Sequence, residues 1–434
     1  MLNPEKRHHL DWLVQLYSHH PNAITDDAAD PHLFDRHNDF GIAAFLEGFR
    51  PLNKLREQRG PVVFELGAID EAADDLVFVE LLIDGELIYI ARVRFEVESP
   101  CRIKYWGSYP PLPDGVVLRD YQPGDAAGCV ALEQLCPFES SDGVRWTINK
   151  GAQFNDYLKF MSPIDAAVVE FNDEIIGFFS CALRPIRFND QDCNAVYQHH
   201  YRVHPDHRSG SVSVALASYV DPRRTFEHDQ VEFPYSMIDP DNVHMQNMGF
   251  PPGPNLRVAR LTLPIETLAG CANSSTELHT PSVTTILHGM KSTHGKRVLF
   301  PTHTEQFLAD RWNRISSFGQ SNYVANNQAF IGLWQAKEHN QIEGNGIVQH
   351  KTIAYIIDYA FAEPTGLLEV LQSSAQQLQG SEMSHFSVLC DTRATEYAML
   401  KEIADHEALL ALHTLPWICE PLSATTLYCD GIYF

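Results

Sequence analysis

The sequence predicts a mixed α+β protein: an α+β front domain followed by two domains with mixed central sheets. Three observations lead there. Stretches with apolar residues at helical spacing alternate with period-two strand runs along most of the chain. Pairs of apolar runs are joined by hairpin signals at Asp84-Gly85 and at Asn172-Asp173-Glu174. The order of elements between residues 116 and 263 also returns in outline between 305 and 434. With 434 residues the chain exceeds one ordinary core, so several domains are expected.

The first block, 1–113, opens with an amphipathic pattern (Leu10, Trp12, Leu13, Leu16, Tyr17) and a second helical stretch over 41–59. Strand-like runs follow at 62–66, 75–83, 86–98 and 101–109. Asp70 and Asp74-Asp75 read as an exposed turn before a strand, with a general base as the rival reading. Pro110-Pro-Leu-Pro113 is a stiff connector. The second block, 114–268, begins with a strand at 116–121. Asp125 is placed to N-cap a helix over 126–135. A helix at 154–160, strands at 166–170, 175–182 and 194–203, a helix at 211–220, and strands at 230–237 and 256–263 complete it. A Ser/Thr-rich connector, 271–285, leads to the third block, 290–434. That block reads as a helix at 305–315, strands at 328–335 and 352–361, a helix at 367–378, a strand at 385–390, a helix at 394–403 and an apolar end at 425–434.

The formal net charge is −24, from 56 acidic residues against 32 Lys and Arg. Such a surface repels phosphate backbones and argues against a nucleic-acid partner. An anionic cofactor would need local help from backbone N–H groups. The nine cysteines form no C-x-x-C pair, which argues against a disulfide scaffold or structural zinc and for a reducing cytoplasm. No apolar run reaches membrane-spanning length, so no membrane association is expected.

One segment carries chemistry. A strand ends at Val203, Pro205 stops it, and a small-residue turn opens a helix. The first turn of a helix has unpaired N–H groups and the positive end of the dipole, which together favour a phosphate. Ser209, Gly210, Ser211 and Ser213 are small enough for close approach, the Ser hydroxyls could donate to a phosphate, and Arg208 adds charge at the mouth. In the strand before the turn, alternation puts Tyr197, His199 and Tyr201 on one face and Gln198, His200 and Arg202 on the other, so only one histidine should face a site.

In its order of strand, helix, hairpin, strand, turn, helix and strand, the second block resembles the GNAT acyl-CoA N-acyltransferase superfamily. The family turn reads V-x-P-x-x-R-x-x-G-x-G/A, with a Leu three residues after the last small position. Val203, Pro205, Arg208 and Leu216 match it, and Ser211 and Ser213 stand where glycines are usual. Ile176-Gly177-Phe178 matches a family strand, and Asp239-Pro-Asp-Asn242 with Met248-Gly249-Phe250 resembles a late family segment. The resemblance implies acyl transfer from acetyl-CoA or another acyl-CoA to a small amine or amino-acid-like metabolite, with no metal. It implies a cofactor site of Tyr201, Val203, Arg208, Ser209, Gly210, Ser211, Val212, Ser213 and Asn242. A splayed strand would pair with pantetheine, and a backbone N–H near Val203 would polarise the thioester carbonyl. His199 or His200 would be the base. The Tyr that the family often uses as acid is missing, leaving Tyr235 and His244 as candidates.

The third block resembles a degenerate second copy, because Glu363 stands where a basic residue would help and an acid repels a pyrophosphate. The first block resembles the ketosteroid-isomerase-like, nuclear-transport-factor-2-like cones, with a structural or pocket-forming role. A homodimer is compatible with all this. Two other functions stay open: a CoA-binding or ligand-sensing protein without transferase activity, and chemistry on the acyl group itself, such as decarboxylation.

Overall fold

The computed structural model describes residues 4–18, 63–73, 76–95, 103–139, 144–161, 163–188, 191–208, 211–220, 233–238, 240, 252–271, 276–295, 297, 299–301, 303–344 and 347–414. The helix expected at 41–59 and the apolar end at 425–434 lie outside them.

The front unit is helix α1 (Pro4–Ser18) on a four-stranded antiparallel meander, β1 (Glu65–Ala73), β2 (Leu76–Ile83), β3 (Glu86–Phe95) and β4 (Ile103–Tyr109). Strict alternation along β2 turns Val77, Val79, Leu81 and Ile83 inward, where they meet Leu10 of α1. Asp84 and Gly85 take positive φ (52° and 77°), as a two-residue hairpin requires. One expectation is corrected here. Asp70 is not in a turn: β1 runs through it in register with Phe78 of β2, with the Asp70 side chain exposed.

Among the described residues, the remaining strands form one fourteen-stranded mixed sheet. From the second block come β5 (Val116–Asp120), β6 (Phe138–Glu139), β7 (Arg145–Asn149), β8 (Ile164–Phe171), β9 (Glu174–Phe188), β10 (Gln191–Val203), β11 (Phe233–Ile238) and β12 (Pro252–Pro264). The third block supplies β13 (Leu299–Pro301), β14 (Tyr323–Ala325), β15 (Ala329–Gly344), β16 (Ile347–Phe361), β17 (His385–Asp391) and β18 (His406–Thr414). The helices are α2 (Ala126–Leu135), α3 (Phe154–Met161), α4 (Ser211–Tyr219), α5 (Ile265–Gly270), α6 (Val283–His294), α7 (Glu305–Arg314), α8 (Pro364–Leu378) and α9 (Thr395–Ile403). The architecture is mixed α+β, as the element pattern predicts.

Strand order is β5-β8-β9-β10-β11-β18-β12-β17-β16-β15-β7-β6, with β13 beside β9 and β14 beside β15. It has a symmetry that chain order hides. β10 and β11 are parallel, as are β16 and β17, while β9 and β15 flank them antiparallel. At the centre, β18 sits between β11 and β12, and β12 sits between β18 and β17. Each half of the sheet thus receives a strand from the other block. The edge is exchanged too, because β7 pairs with β15. The core follows: Trp334 of β15, fully buried, packs against Tyr157 and Phe160 of α3, with centroids 4.7 and 4.5 Å apart.

Two further expectations are corrected. The Ser/Thr-rich connector already contains the start of α6, capped by Ser282, whose hydroxyl accepts from the Thr285 N–H. Asp125 stands directly before α2 but does not cap it. Its carboxylate accepts the Gln122 N–H, one turn back, and both terminal nitrogens of Arg119.

Candidate functional site

The site is built where β10 leaves its neighbours. β11 pairs with β10 only over Ala195–Tyr197, against Phe233–Tyr235. Among the described residues, nothing then pairs with the β11 side of β10 as it continues to Val203. On the other side, against β9, the register slips between His199 and Arg202, where one extra residue bulges out of β10. His200 sits at the bulge with φ 55°. The bulge corrects the expected alternation: His199 and His200 do not point to opposite faces. Both are buried (5% exposed each), and their Nδ1 atoms are in hydrogen-bonding contact.

Beyond Val203 the chain turns at Pro205–His207, and α4 begins at Ser211. The turn is tied inward. The Val203 carbonyl accepts from Arg208 Nε (3.1 Å) and from the Cys136 thiol (3.3 Å). The Tyr201 hydroxyl donates to the Ser213 carbonyl (2.8 Å), fixing the helix start to the bulged strand. Ser213 is buried, and its hydroxyl donates to the Arg208 carbonyl rather than facing outward, so it is not placed to donate to a phosphate as expected. Val212 and Leu216 anchor α4 on the sheet beside Val203 and Ile176. Gly177 keeps this packing close: a Cβ there would lie 3.2 Å from Leu216 and Val169. On its outer side α4 lies against β4 of the front unit. Arg208 is exposed at the mouth.

Beneath the bulge lies a buried charged cluster. Ser180 contacts His199 Nδ1 (3.1 Å), and His199 stacks on Tyr197. His200 Nε2 is 3.8 Å from Glu133 of α2, whose other partner is Lys150, following β7, at 2.6 Å. Among the described residues, Glu133 Oε2 and His200 Nε2 have no hydrogen-bond partner. Burial, reinforced by Lys150 and Arg184, pulls the His199 pKa down to about 3. Burial, with Lys150, His199 and Arg202 adding to it, pulls His200 well below its ordinary value. Both imidazoles are therefore neutral at neutral pH. Tyr235 is buried on β11, its ring 5.2 Å from that of Tyr197. Ser209, Gly210, Asn242 and His244 lie outside the described residues.

A second buried network adjoins the first. Glu338 of β15 holds Arg260 of β12 at 3.1 Å and accepts from Tyr355 (2.6 Å) and Tyr157 (3.0 Å). Burial opposes its charge, but Arg260 and Lys150 outweigh that and lower its pKa. Glu133, Lys150, Glu338 and Arg260 were all missed at the level of sequence. Only Glu133 left a signal: it shares the buried stripe of α2 with Cys129 and Leu132.

The third block repeats the strand geometry with other contents. β17 pairs with β16 only over Ile353–Tyr355, and β16 bulges between Ile356 and Asp358. Asp358 is fully buried and is held by Arg311 (2.9 Å), His303 (3.0 Å) and the Tyr323 hydroxyl. Burial opposes its ionisation, yet Arg311 and His303 hold its carboxyl below the ordinary range. After Phe361 only residues 362–363 precede α8, and Gln328 packs on that helix start, where a Cβ on Gly366 would lie 2.7 Å from it.

No family model matches the chain, and no curated protein matches it in sequence. Solved structures do. Saccharomyces cerevisiae N-myristoyltransferase with bound myristoyl-CoA and inhibitors aligns over 70% of this chain and 81% of its own, at 13% identity and a TM-score of 0.52. The same enzyme with bound myristoyl-CoA aligns over 71% and 84%, at 12% identity and a TM-score of 0.52. A tandem GNAT protein from the clavulanic acid biosynthesis pathway aligns over 69% and 98%, at 12% identity and a TM-score of 0.45. The fold assignment rests on the first two: the chain has a fold similar to that of N-myristoyltransferase.

Proposed function

We propose that the protein is an acyl-CoA-dependent N-acyltransferase, with two tandem GNAT-like halves of which the first carries the donor site. The observation that carries this reading is the parting of β10 from β11 just before a strand-turn-helix junction. The parted edge offers backbone N–H and C=O groups to an amide-bearing chain such as pantetheine. At its end, the α4 N-terminus and Arg208 offer positive potential to a pyrophosphate. Two observations support this fit: the edge has no other partner among the described residues, and Arg208 is exposed. Tyr201, Val203, Ser211, Val212 and Ser213 shape the cradle, and Ser209, Gly210 and Asn242 are assigned to it as well. A backbone N–H near Val203 would stabilise the tetrahedral oxyanion.

The acceptor ammonium must lose a proton before it attacks the thioester carbonyl. His200 and His199, neutral and backed by Glu133, are the assigned acceptors, with Glu133 offsetting the imidazolium charge that forms. Tyr235 and His244 remain the candidates for returning a proton to the departing thiolate. Acetyl-CoA is the simplest donor and a small amine or amino-acid-like metabolite the acceptor. The low basicity of His199 favours one rival, a CoA-binding protein without transferase activity.

Calorimetric titration with acetyl-CoA tests the donor site. One equivalent should bind, and Arg208→Glu should weaken binding by about tenfold to a hundredfold, the value of a lost charge-assisted contact. Unchanged affinity would reject the placement. Thiol release with an amine panel then separates the enzyme from the binding protein.

A further inference from the structure

A neutral imidazole carries one N–H, and the nitrogen that lacks it is the one able to take a proton. His199 and His200 are adjacent, buried and neutral, so their surroundings must set which nitrogen is which. Among the described residues, the charged groups facing the pair are Glu133 of α2, Lys150 after β7, Arg184 of β9 and Arg202 of β10. Both rings are held by aromatic neighbours. His199 stacks on Tyr197, and His200 lies beside Phe154 and Phe178, with centroids 5.9 and 6.0 Å away.

Two separate contacts give the same order. The Ser180 hydroxyl donates to the His199 carbonyl (3.2 Å), which leaves its oxygen to accept from the His199 ring. The nearer ring nitrogen is Nδ1, at 3.1 Å against 3.5 Å for Nε2, so His199 carries its hydrogen on Nδ1. The second contact is on the far side of His200, where Nε2 faces Glu133 Oε1 at 3.8 Å. A lone pair aimed at a carboxylate is repelled and an N–H attracted, so His200 carries its hydrogen on Nε2. The two Nδ1 atoms are in contact, and there one must donate and the other accept. His199 Nδ1–H donating to a bare His200 Nδ1 meets that requirement. One basic lone pair is left uncommitted, on His199 Nε2.

We propose that His199 takes the acceptor proton on Nε2, with His200 and Glu133 as positioning residues that act through it, an inference that rests on the transferase reading. The step balances. An N–H bond of the acceptor ammonium breaks, the Nε2–H bond forms, and the amine keeps the electron pair with which it attacks the thioester carbonyl. The His199 imidazolium then donates Nδ1–H to His200, which aims Nε2–H at Glu133. A carboxylate behind a catalytic histidine fixes its tautomer in the same way, here through a second ring. The pairing of β11 with β10 stops at Tyr197, two residues before His199, so this ring stands at the start of the parted edge. Lys150 holds the Glu133 carboxylate in place at 2.6 Å and is itself seated over the Tyr157 ring.

The test is a long-range nitrogen–proton NMR spectrum of the full chain with isotope-labelled histidine at neutral pH, with His199→Gln and His200→Asn assigning the two rings. His199 should show a single Nδ1–H tautomer and His200 a single Nε2–H tautomer. Glu133→Met combined with Lys150→Met removes the carboxylate and its counter-charge together. A second tautomer should then appear at His200 and, through it, at His199. In turnover with acetyl-CoA and an amine panel, His199→Gln should lower kcat by about a hundredfold or more and the double variant by about tenfold, with KM for acetyl-CoA unchanged. The opposite tautomer at either ring of the unaltered chain, which needs no variant to fold, would overturn the assignment. So would full turnover by His199→Gln, and tautomers untouched in the double variant would remove Glu133 from its role. The expected tautomers with no thiol release from any amine would sink the transferase reading, and the proton role with it, while the tautomer order stands.

Discussion

The two halves of the large sheet contain the same device with opposite contents. In each, a strand pairs in parallel for three residues, parts from its neighbour and bulges: β10 beyond Tyr197, β16 beyond Tyr355. Counting on from those tyrosines, His200 and Asp358 hold corresponding places. The first is a neutral group facing a carboxylate without a close contact. The second is a charged group fully enclosed by Arg311, His303 and Tyr323. The linkers differ as well, 204–210 in one half and 362–363 in the other. The comparison teaches that a parted strand is not by itself a site. On the function proposed above, only the first half is one, because the polar groups behind it are left incompletely satisfied among the described residues and more residues separate its strand from the following helix.

The largest test breaks the enclosed half. Asp358→Ala strands Arg311 and His303 without their anion, and removing one partner of a buried pair costs about 3–5 kcal/mol. Denaturant unfolding should show this. A loss below about 1 kcal/mol, the value of an exposed pair, would mean that the cluster is not the closed lock that its geometry describes.

Acid should separate His199 and His200 from Asp358 next. His199 and His200 have folded pKa values below the unfolded value of about 6.5, with burial the main cause and Lys150 the second. The unfolded chain therefore takes up protons first. Their contribution is complete above about pH 6.5 and falls as pH drops towards about 3, with a slope of up to about 1.4 kcal/mol per pH unit for each histidine. Asp358, held below the ordinary carboxylate range, keeps its contribution until pH falls below about 4. Unfolding free energies between about pH 7 and 5 should thus decline, and His200→Asn, chosen because Asn tolerates positive φ, should flatten the decline. An unchanged slope in that variant would remove His200 from the buried neutral class.

Local structure was legible in the sequence because its causes are local. The turn residues Asn172 and Asp173 take φ of 52° and 63°, and the apolar stripe of α2 ends where expected, at Leu135. The exchange of β12 and β18 was not legible, since strand pairing across more than a hundred residues leaves no mark on either strand. The bulge at His200 was hidden for a related reason: alternation describes a regular strand, and the extra residue is fixed by its partner β9. The site was half legible. Val203 and Arg208 showed as a turn motif, but Lys150 and Glu338 are far from it in sequence and meet only through the β7–β15 pairing.

The smallest test concerns how firmly each helix closes its half. A methyl on Gly177 meets Leu216 and Val169 at 3.2 Å, and the Leu216 contact is the end of a flexible side chain. A methyl on Gly366 meets the Gln328 Cβ at 2.7 Å, close to the backbone, where little can yield. Overpacking of the second kind costs about 1–3 kcal/mol, of which better helix propensity in α8 returns up to about 1. Gly366→Ala should therefore still lower the melting temperature measurably, and Gly177→Ala should lower it less. The ranking matters more than either value. If α4 proved the stiffer of the two, the helix assigned to receive a ligand would be clamped more tightly than the helix stoppered by Gln328, and the contrast between an open and a closed half would lose its basis in packing.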